Sequence, residues 1–206
     1  MATERTPQEP AWPTHLDPCA EHIYAIGRIS VNYNELEAQL LAFIQHYDSS
    51  PNELTAFLFE KVPSNSQTEW LKKMMALRGN DLEAQVPIQH FISACDICTA
   101  NRNLLIHSRI WAYRVSEDSL ITSKRTRKTG AEKGDEFSLD VIRRVADEIQ
   151  FWRGYGGHIS AYLTRSALSR EKLPSDWKLI GPSTLPGKPS LPINLTSSNN
   201  PAFGDA

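Results

Sequence analysis

The sequence predicts a mainly α protein, an antiparallel helical bundle with one inserted β-hairpin and disordered N- and C-terminal tails. Over most of the chain, apolar residues recur at spacings of three and four, which is the period of a helix that buries one face. Residues 111–128 alternate instead between apolar and polar residues, which is the period of a strand. Both ends of the 206-residue chain are rich in proline. Such segments bury too little apolar surface to fold by themselves.

Four helical stretches are expected before the hairpin. They cover residues 18–47, 51–62, 66–78 and, after a short helical stretch from Asp81, the central helix 87–111. Pro51 suits the first position of a helix, where its missing N–H costs nothing. Pro63 predicts a break between the second and third helices, because proline cannot continue a helix already begun.

A final helix is expected over residues 138–168, with the hairpin at about 111–128 before it. Gly154, Gly156 and Gly157 interrupt the pattern of this helix. Glycine disfavours helix, so we expect a kink or a break between two helices there. The alternative is a place where another backbone approaches closely, such as a dimer contact.

Three segments divide the chain: a disordered arm at 1–18, a bundle domain at 19–168 and a disordered Pro/Ser/Asn-rich tail at 169–206. The net charge of −2 gives no global attraction to nucleic acid, so any such site must be a local patch. Three cysteines, an odd number, argue against a disulfide scaffold. With no signal peptide and no apolar run long enough to span a bilayer, we expect a cytoplasmic protein that does not bind membranes.

Polar residues of unusual placement mark the central helix. At about 100° per residue, Arg102 falls near the middle of the apolar face. Burying its charge without a carboxylate or a ligand anion would cost several kcal/mol. Glu35 and Glu37 on the first helix are the candidate carboxylates. Asn103 and His107 lie on the flank, four residues apart, where they can touch.

Arg102-Asn103-Leu104-Leu105-Ile106-His107 resembles the signature of the HEPN superfamily, in which an Arg and a following polar residue precede a His by a few positions. The resemblance implies an all-helical bundle, usually a homodimer. In the active branches it implies a metal-independent endoribonuclease, often a toxin or a defence effector. It places the active site at Arg102 and His107, with Asn103 as the intervening polar residue.

The residue types suit this chemistry. Cleavage through the 2′-hydroxyl requires removal of a proton from that oxygen and delivery of one to the leaving oxygen, and histidine titrates in the right range. Arg102 offers a fork of donors for phosphate. We expect Asn103 to orient His107, and no cofactor or metal. A basic cluster beside His107 is the predicted RNA-binding surface; it comprises Arg109, Lys124, Arg125, Arg127 and Lys128.

Other interpretations stay open. The chain could be a non-catalytic helical module that binds an antitoxin or another protein, with Arg102 in a structural ion pair. The basic residues could simply keep an edge strand soluble. Cys95 and Cys98 form a CxxC, but both fall on the apolar face without further ligands, so we expect buried structural cysteines.

Overall fold

The computed structural model describes residues 19–78, 82–125, 132–169 and 181–196. These residues form five α-helices and one three-stranded sheet. The helices are α1 (Ala20–Tyr47), α2 (Asn52–Lys61), α3 (Ser64–Arg78), α4 (Leu82–Ile106) and α5 (Leu139–Ser169); the strands are β1 (Arg109–Arg114), β2 (Ser119–Arg125) and β3 (Glu132–Ser138). The mainly α prediction is confirmed.

The core lies where α1, α4 and α5 meet. Buried apolar side chains from all three helices fill it, among them Phe43, Phe91 and Trp152. α4 runs antiparallel to α1, since Tyr33 meets Thr99 while Phe43 meets Phe91. By contrast, α1 and α5 run parallel, because their paired residues advance in the same direction: Glu21 pairs with Arg143, and Glu35 with Arg153.

The predicted hairpin is part of a larger sheet of antiparallel strands in the order β1-β2-β3. The sequence predicts no strand between the hairpin and the last helix, where β3 lies, because β3 is mostly charged and has Phe137 as its one large apolar residue. Phe137 and Leu120 are paired across the sheet, and both are fully buried. The sheet is tied to α1 through His22, whose Nε2 donates to the Asp118 carbonyl oxygen at 3.0 Å.

The central helix differs from the prediction at both ends. It begins at Leu82 and passes through Pro87 without a break. It ends at Ile106 rather than at Trp111, and β1 follows from Arg109. His107 therefore lies just beyond the helix.

α5 is one continuous helix through its glycines, so the predicted kink or break is wrong. The alternative, a close approach of another backbone, is not what the described residues show either: the atoms that approach Gly156 belong to side chains of the same chain. A Cβ at Gly156 would lie 2.7 Å from Phe91 Cε2 on α4 and 3.2 Å from Gln39 Cβ on α1. Gly156 lets the three helices pack this closely. A Cβ at Gly154 would meet nothing within 4 Å.

Residues 181–196 belong to the predicted disordered tail, and here the prediction needs correction. They form no helix or strand, but bundle side chains bind their backbone. Asn101 Nδ2 donates to Ile193 O at 2.6 Å, and Leu195 N donates to Asn101 Oδ1 at 3.0 Å. Leu195 is buried in the core. The arm 1–18 and the remaining tail residues, 170–180 and 197–206, lie outside the described residues.

Candidate active site

Arg102, on the last turn of α4, is the centre of the candidate site. Its side chain is half-buried, with the guanidinium carbon 5.2 Å from the centre of the Tyr33 ring. Its Nη1 donates to Asn103 Oδ1 at 2.9 Å and to His107 Nε2 at 3.1 Å. The predicted residues Arg102, Asn103 and His107 are thus in one hydrogen-bonded cluster.

Ideal helical geometry alone would separate Arg102 from His107, since five residues turn the helix by about 140° from alignment. They meet at the end of α4: the helix ends at Ile106, and His107 N still donates to Asn103 O at 3.3 Å, as it would in a continuing helix. An arginine can only donate, so the His107 Nε2 that faces it must accept. When Nε2 accepts this bond, the other ring nitrogen of the exposed His107, Nδ1, is the one that can donate.

Asn103 does not contact His107 in the way the sequence predicted. Its Oδ1 accepts from Arg102, and its hydrogen bond with His107 is made by the backbone, where His107 N donates to Asn103 O at 3.3 Å. Any orienting effect of the Asn103 side chain on the His107 ring therefore acts through Arg102.

Tyr33 forms the floor under Arg102. Its hydroxyl lies 2.8 Å from Thr99 Oγ1, and the Thr99 hydroxyl donates to Cys95 O at 2.7 Å. Since the Thr99 hydroxyl has one hydrogen, Tyr33 is the donor to Thr99. Burial raises the pKa of Tyr33 to about 12, so the ring stays neutral. A fixed, neutral aromatic face holds the guanidinium by a cation–π contact.

The two carboxylates expected to neutralise Arg102 are bound elsewhere. Glu35 forms an ion pair with Arg153 at 2.8 Å, and Glu37 accepts from the Ser64 hydroxyl at 2.7 Å. No carboxylate lies within ion-pair distance of Arg102 in the described part of the chain. The Arg102 Nε is buried and has no hydrogen-bond partner there. The guanidinium therefore has only uncharged hydrogen-bond partners, and no carboxylate of the described residues balances its charge.

The predicted basic cluster is only partly described. Arg109 begins β1, two residues after His107, and its guanidinium carbon lies 5.6 Å from the centre of the Trp111 ring. The register pairs Arg109 with Ser123, which places the backbone of Lys124 and Arg125 at the same end of the sheet. Arg127 and Lys128 lie outside the described residues.

The cysteines fit their structural interpretation. Cys95 and Cys98 are buried in the core, and burial raises the pKa of both thiols. Within the described ranges, no group of three or more His, Cys, Asp or Glu side chains is placed to hold a metal ion. No helix among these residues is long and apolar enough to cross a membrane.

Sequence reasoning missed Tyr33 and Thr99. Both sit on apolar stripes, where a tyrosine or threonine is easily counted as core. The signal available in the sequence was polarity: each carries a hydroxyl at a position that an apolar side chain could fill. A cavity of about 640 Å³ lies between α5 and residues 186–189, and neither Arg102 nor His107 lines it.

No family model matches the chain, and neither the curated proteins nor the solved structures contain a match. The site therefore has to be interpreted from its own geometry.

Proposed function

We propose that the protein is a metal-independent endoribonuclease of the HEPN type, with Arg102 and His107 as its reactive pair. The observation that carries this proposal is the state of Arg102. It is a half-buried cation, held by a tyrosine ring, an amide oxygen and an imidazole nitrogen, with no carboxylate beside it in the described residues. An RNA phosphate supplies the missing negative charge, and the planar fork suits its oxygens.

The chemistry follows from the same geometry. When a phosphate binds, Arg102 Nη1 turns from His107 Nε2 to the phosphate oxygens, and the freed lone pair of Nε2 takes the proton of the neighbouring 2′-hydroxyl. The 2′-oxygen attacks phosphorus, and the P–O5′ bond breaks. The products are a 2′,3′-cyclic phosphate and a 5′-hydroxyl, once the leaving oxygen receives a proton. Arg102 stabilises the charge that develops on the phosphate oxygens.

The reaction needs one proton removed from the 2′-hydroxyl and one delivered to the leaving oxygen, but each chain contributes only one His107. A homodimer that brings two such sites together would supply a base from one copy and an acid from the other. The dimer is part of the proposal, and size-exclusion chromatography with light scattering tests it directly. Toxicity on expression, relieved by His107→Ala, would support a toxin or defence role.

The decisive experiment incubates tRNA and mRNA with wild-type protein in EDTA, beside His107→Ala. We expect EDTA-resistant cleavage, cyclic phosphate ends, and a loss of about 100-fold or more in the variant. His46→Ala is a matched control, because His46 is an exposed helical histidine on α1.

Cleavage that persists undiminished in His107→Ala would show a contaminating nuclease or another site, and would refute the assignment. If wild-type protein leaves RNA intact, the second candidate leads, a non-catalytic module that binds an antitoxin or another protein. One observation favours it: α2 exposes an apolar surface, with Leu54 48%, Phe57 58% and Leu58 44% accessible. Such a surface suits a protein partner.

A further inference from the structure

Trp111 lies at an irregularity in the backbone pairing of β1. In the pairing of β1 with β2, Ile110 opposes Thr122 and Ala112 opposes Ile121, so Trp111 opposes no residue. It is the extra residue of a β-bulge. Bulges re-aim a side chain away from the regular pleat and occur often beside active sites.

The side chain of Trp111 is 61% exposed although it is the largest apolar side chain of its strand. One contact of its ring is with Arg109, whose guanidinium carbon lies 5.6 Å from the ring centre. Arg109 lies over one face of the indole, and the 61% exposure of Trp111 leaves much of its surface in solvent.

The position of Trp111 relates it to the candidate active site. It follows His107 by four residues, which at about 3.3 Å per residue keeps it within about 13 Å along the chain. β1 is an edge strand, so no further described strand covers it. A nucleic acid strand held at Arg102 and His107 can therefore reach Trp111 within a few nucleotides.

We propose that Trp111, backed by Arg109, is a stacking platform for an unpaired base, and that the substrate is single-stranded RNA. This inference rests on the proposed function and names its substrate class. An exposed aromatic ring stacks with any base that is free of a duplex, and a neighbouring arginine adds attraction for the phosphates. In duplex RNA the base faces are covered by their neighbours, so the platform has nothing to bind.

The test measures binding without cleavage. A labelled 12-nucleotide 2′-O-methyl RNA, which lacks the attacking hydroxyl, is titrated by fluorescence anisotropy, either single-stranded or paired with its complement. Wild-type protein should prefer the single strand. Trp111→Ala should weaken single-strand binding by roughly 5- to 100-fold, the range seen when a stacking ring is removed. Trp111→Phe keeps a ring and should retain most of the affinity.

Phe151→Ala is the matched control, since Phe151 is an exposed aromatic residue on α5, 54% accessible, away from the sheet. It should leave RNA affinity unchanged. Circular dichroism of each variant checks that the helices are intact. Light scattering on the same samples tests the competing role of Trp111, a contact between protein molecules.

Equal affinity for single strand and duplex, or an unchanged affinity in Trp111→Ala, would overturn the inference. So would a variant that alters the oligomeric state and binds RNA normally as a monomer. Failure of the nuclease proposal gives a different pattern: the single strand still binds through Trp111, but RNA with free 2′-hydroxyls is not cut. His107→Ala should abolish cutting without weakening binding of the 2′-O-methyl strand.

Discussion

Asn101 and Arg102 are neighbours in the chain but serve two regions of contrasting character. Asn101 faces the tail seam, the contact of residues 181–196 with α4 and α5. Both ends of its amide are bonded to backbone there, and it is 1% exposed. Arg102 faces a different region, which we call the Arg102 site. This site comprises Arg102, Tyr33, Asn103 and His107. There a cation lacks a carboxylate and its Nε lacks a partner among the described residues.

The difference teaches how to separate structural polar groups from functional ones. In the tail seam the Asn101 amide and the Glu148 carboxylate are both used: Glu148 accepts from Ile193 N at 2.9 Å and from Arg144 Nε at 3.0 Å. The exception there is the buried hydroxyl of Tyr155, which has no hydrogen-bond partner among the described residues. Saturated buried groups stabilise a fold and leave nothing for a ligand. An unsatisfied buried donor costs free energy, and a ligand that binds it recovers that cost.

The largest expected effect tests the Arg102 site. Arg102→Lys keeps the charge but loses the planar fork and the stacking on Tyr33. We expect RNA cleavage to fall by about 100-fold or more, as when a preorganised donor is removed from an active site. Single-turnover cleavage assays measure it, with the surface variant Arg153→Lys as control. Wild-type rates in Arg102→Lys would mean that charge alone matters and that the fork does not.

The next effect tests the tail seam. Asn101→Ala leaves a buried carbonyl and a buried N–H of residues 193 and 195 without partners. At about 1–3 kcal/mol for each of the two unsatisfied groups, we expect the free energy of unfolding to fall by about 2–6 kcal/mol. Urea denaturation measures this. The exposed Asn34→Ala should change it by less than about 0.5 kcal/mol. An equally small change in Asn101→Ala would show that the seam is not formed in solution.

A smaller effect compares two glycines of α5. Gly156→Ala places a methyl group against Phe91, and the forced shift should cost about 1–3 kcal/mol of unfolding free energy. Gly154→Ala enters open space and should stabilise the helix by up to about 1 kcal/mol. Thermal unfolding of both variants measures the two changes in stability. Changes of the same sign would contradict the close packing of Gly156 against Phe91.

The smallest effect concerns Tyr33 and pH. Its pKa is raised in the folded protein to about 12, so its contribution to stability is complete below its unfolded value near 10 and is lost as pH rises through 12. Tyr33→Phe keeps the ring under Arg102 and loses one hydrogen bond, which should cost about 1 kcal/mol at pH 8. Urea denaturation should show that the difference in unfolding free energy between wild type and variant is smaller at pH 11 than at pH 8. A gap that widens would refute the assignment of Tyr33 as a buried neutral donor.

The helical fold could be predicted from sequence because helices obey a local rule. The apolar period of α1 and α5 located both helices to within two residues at either end. β3 was missed because its pattern is polar, and its stability comes from pairing with β2 and from Phe137 in the core. The docking of residues 181–196 was missed because it depends on backbone atoms, which the sequence does not distinguish.

By itself the sequence determined the class of fold, the buried cysteines and the identity of the candidate pair, Arg102 and His107. The tertiary structure decided that the pair touches, that Tyr33 lies beneath it, and that Glu35 and Glu37 are engaged elsewhere. The physical reason is the distance along the chain over which each effect acts. Periodicity and capping act over a few residues, whereas the charge balance around Arg102 depends on which side chains of α1, α3 and α5 the packing brings near it.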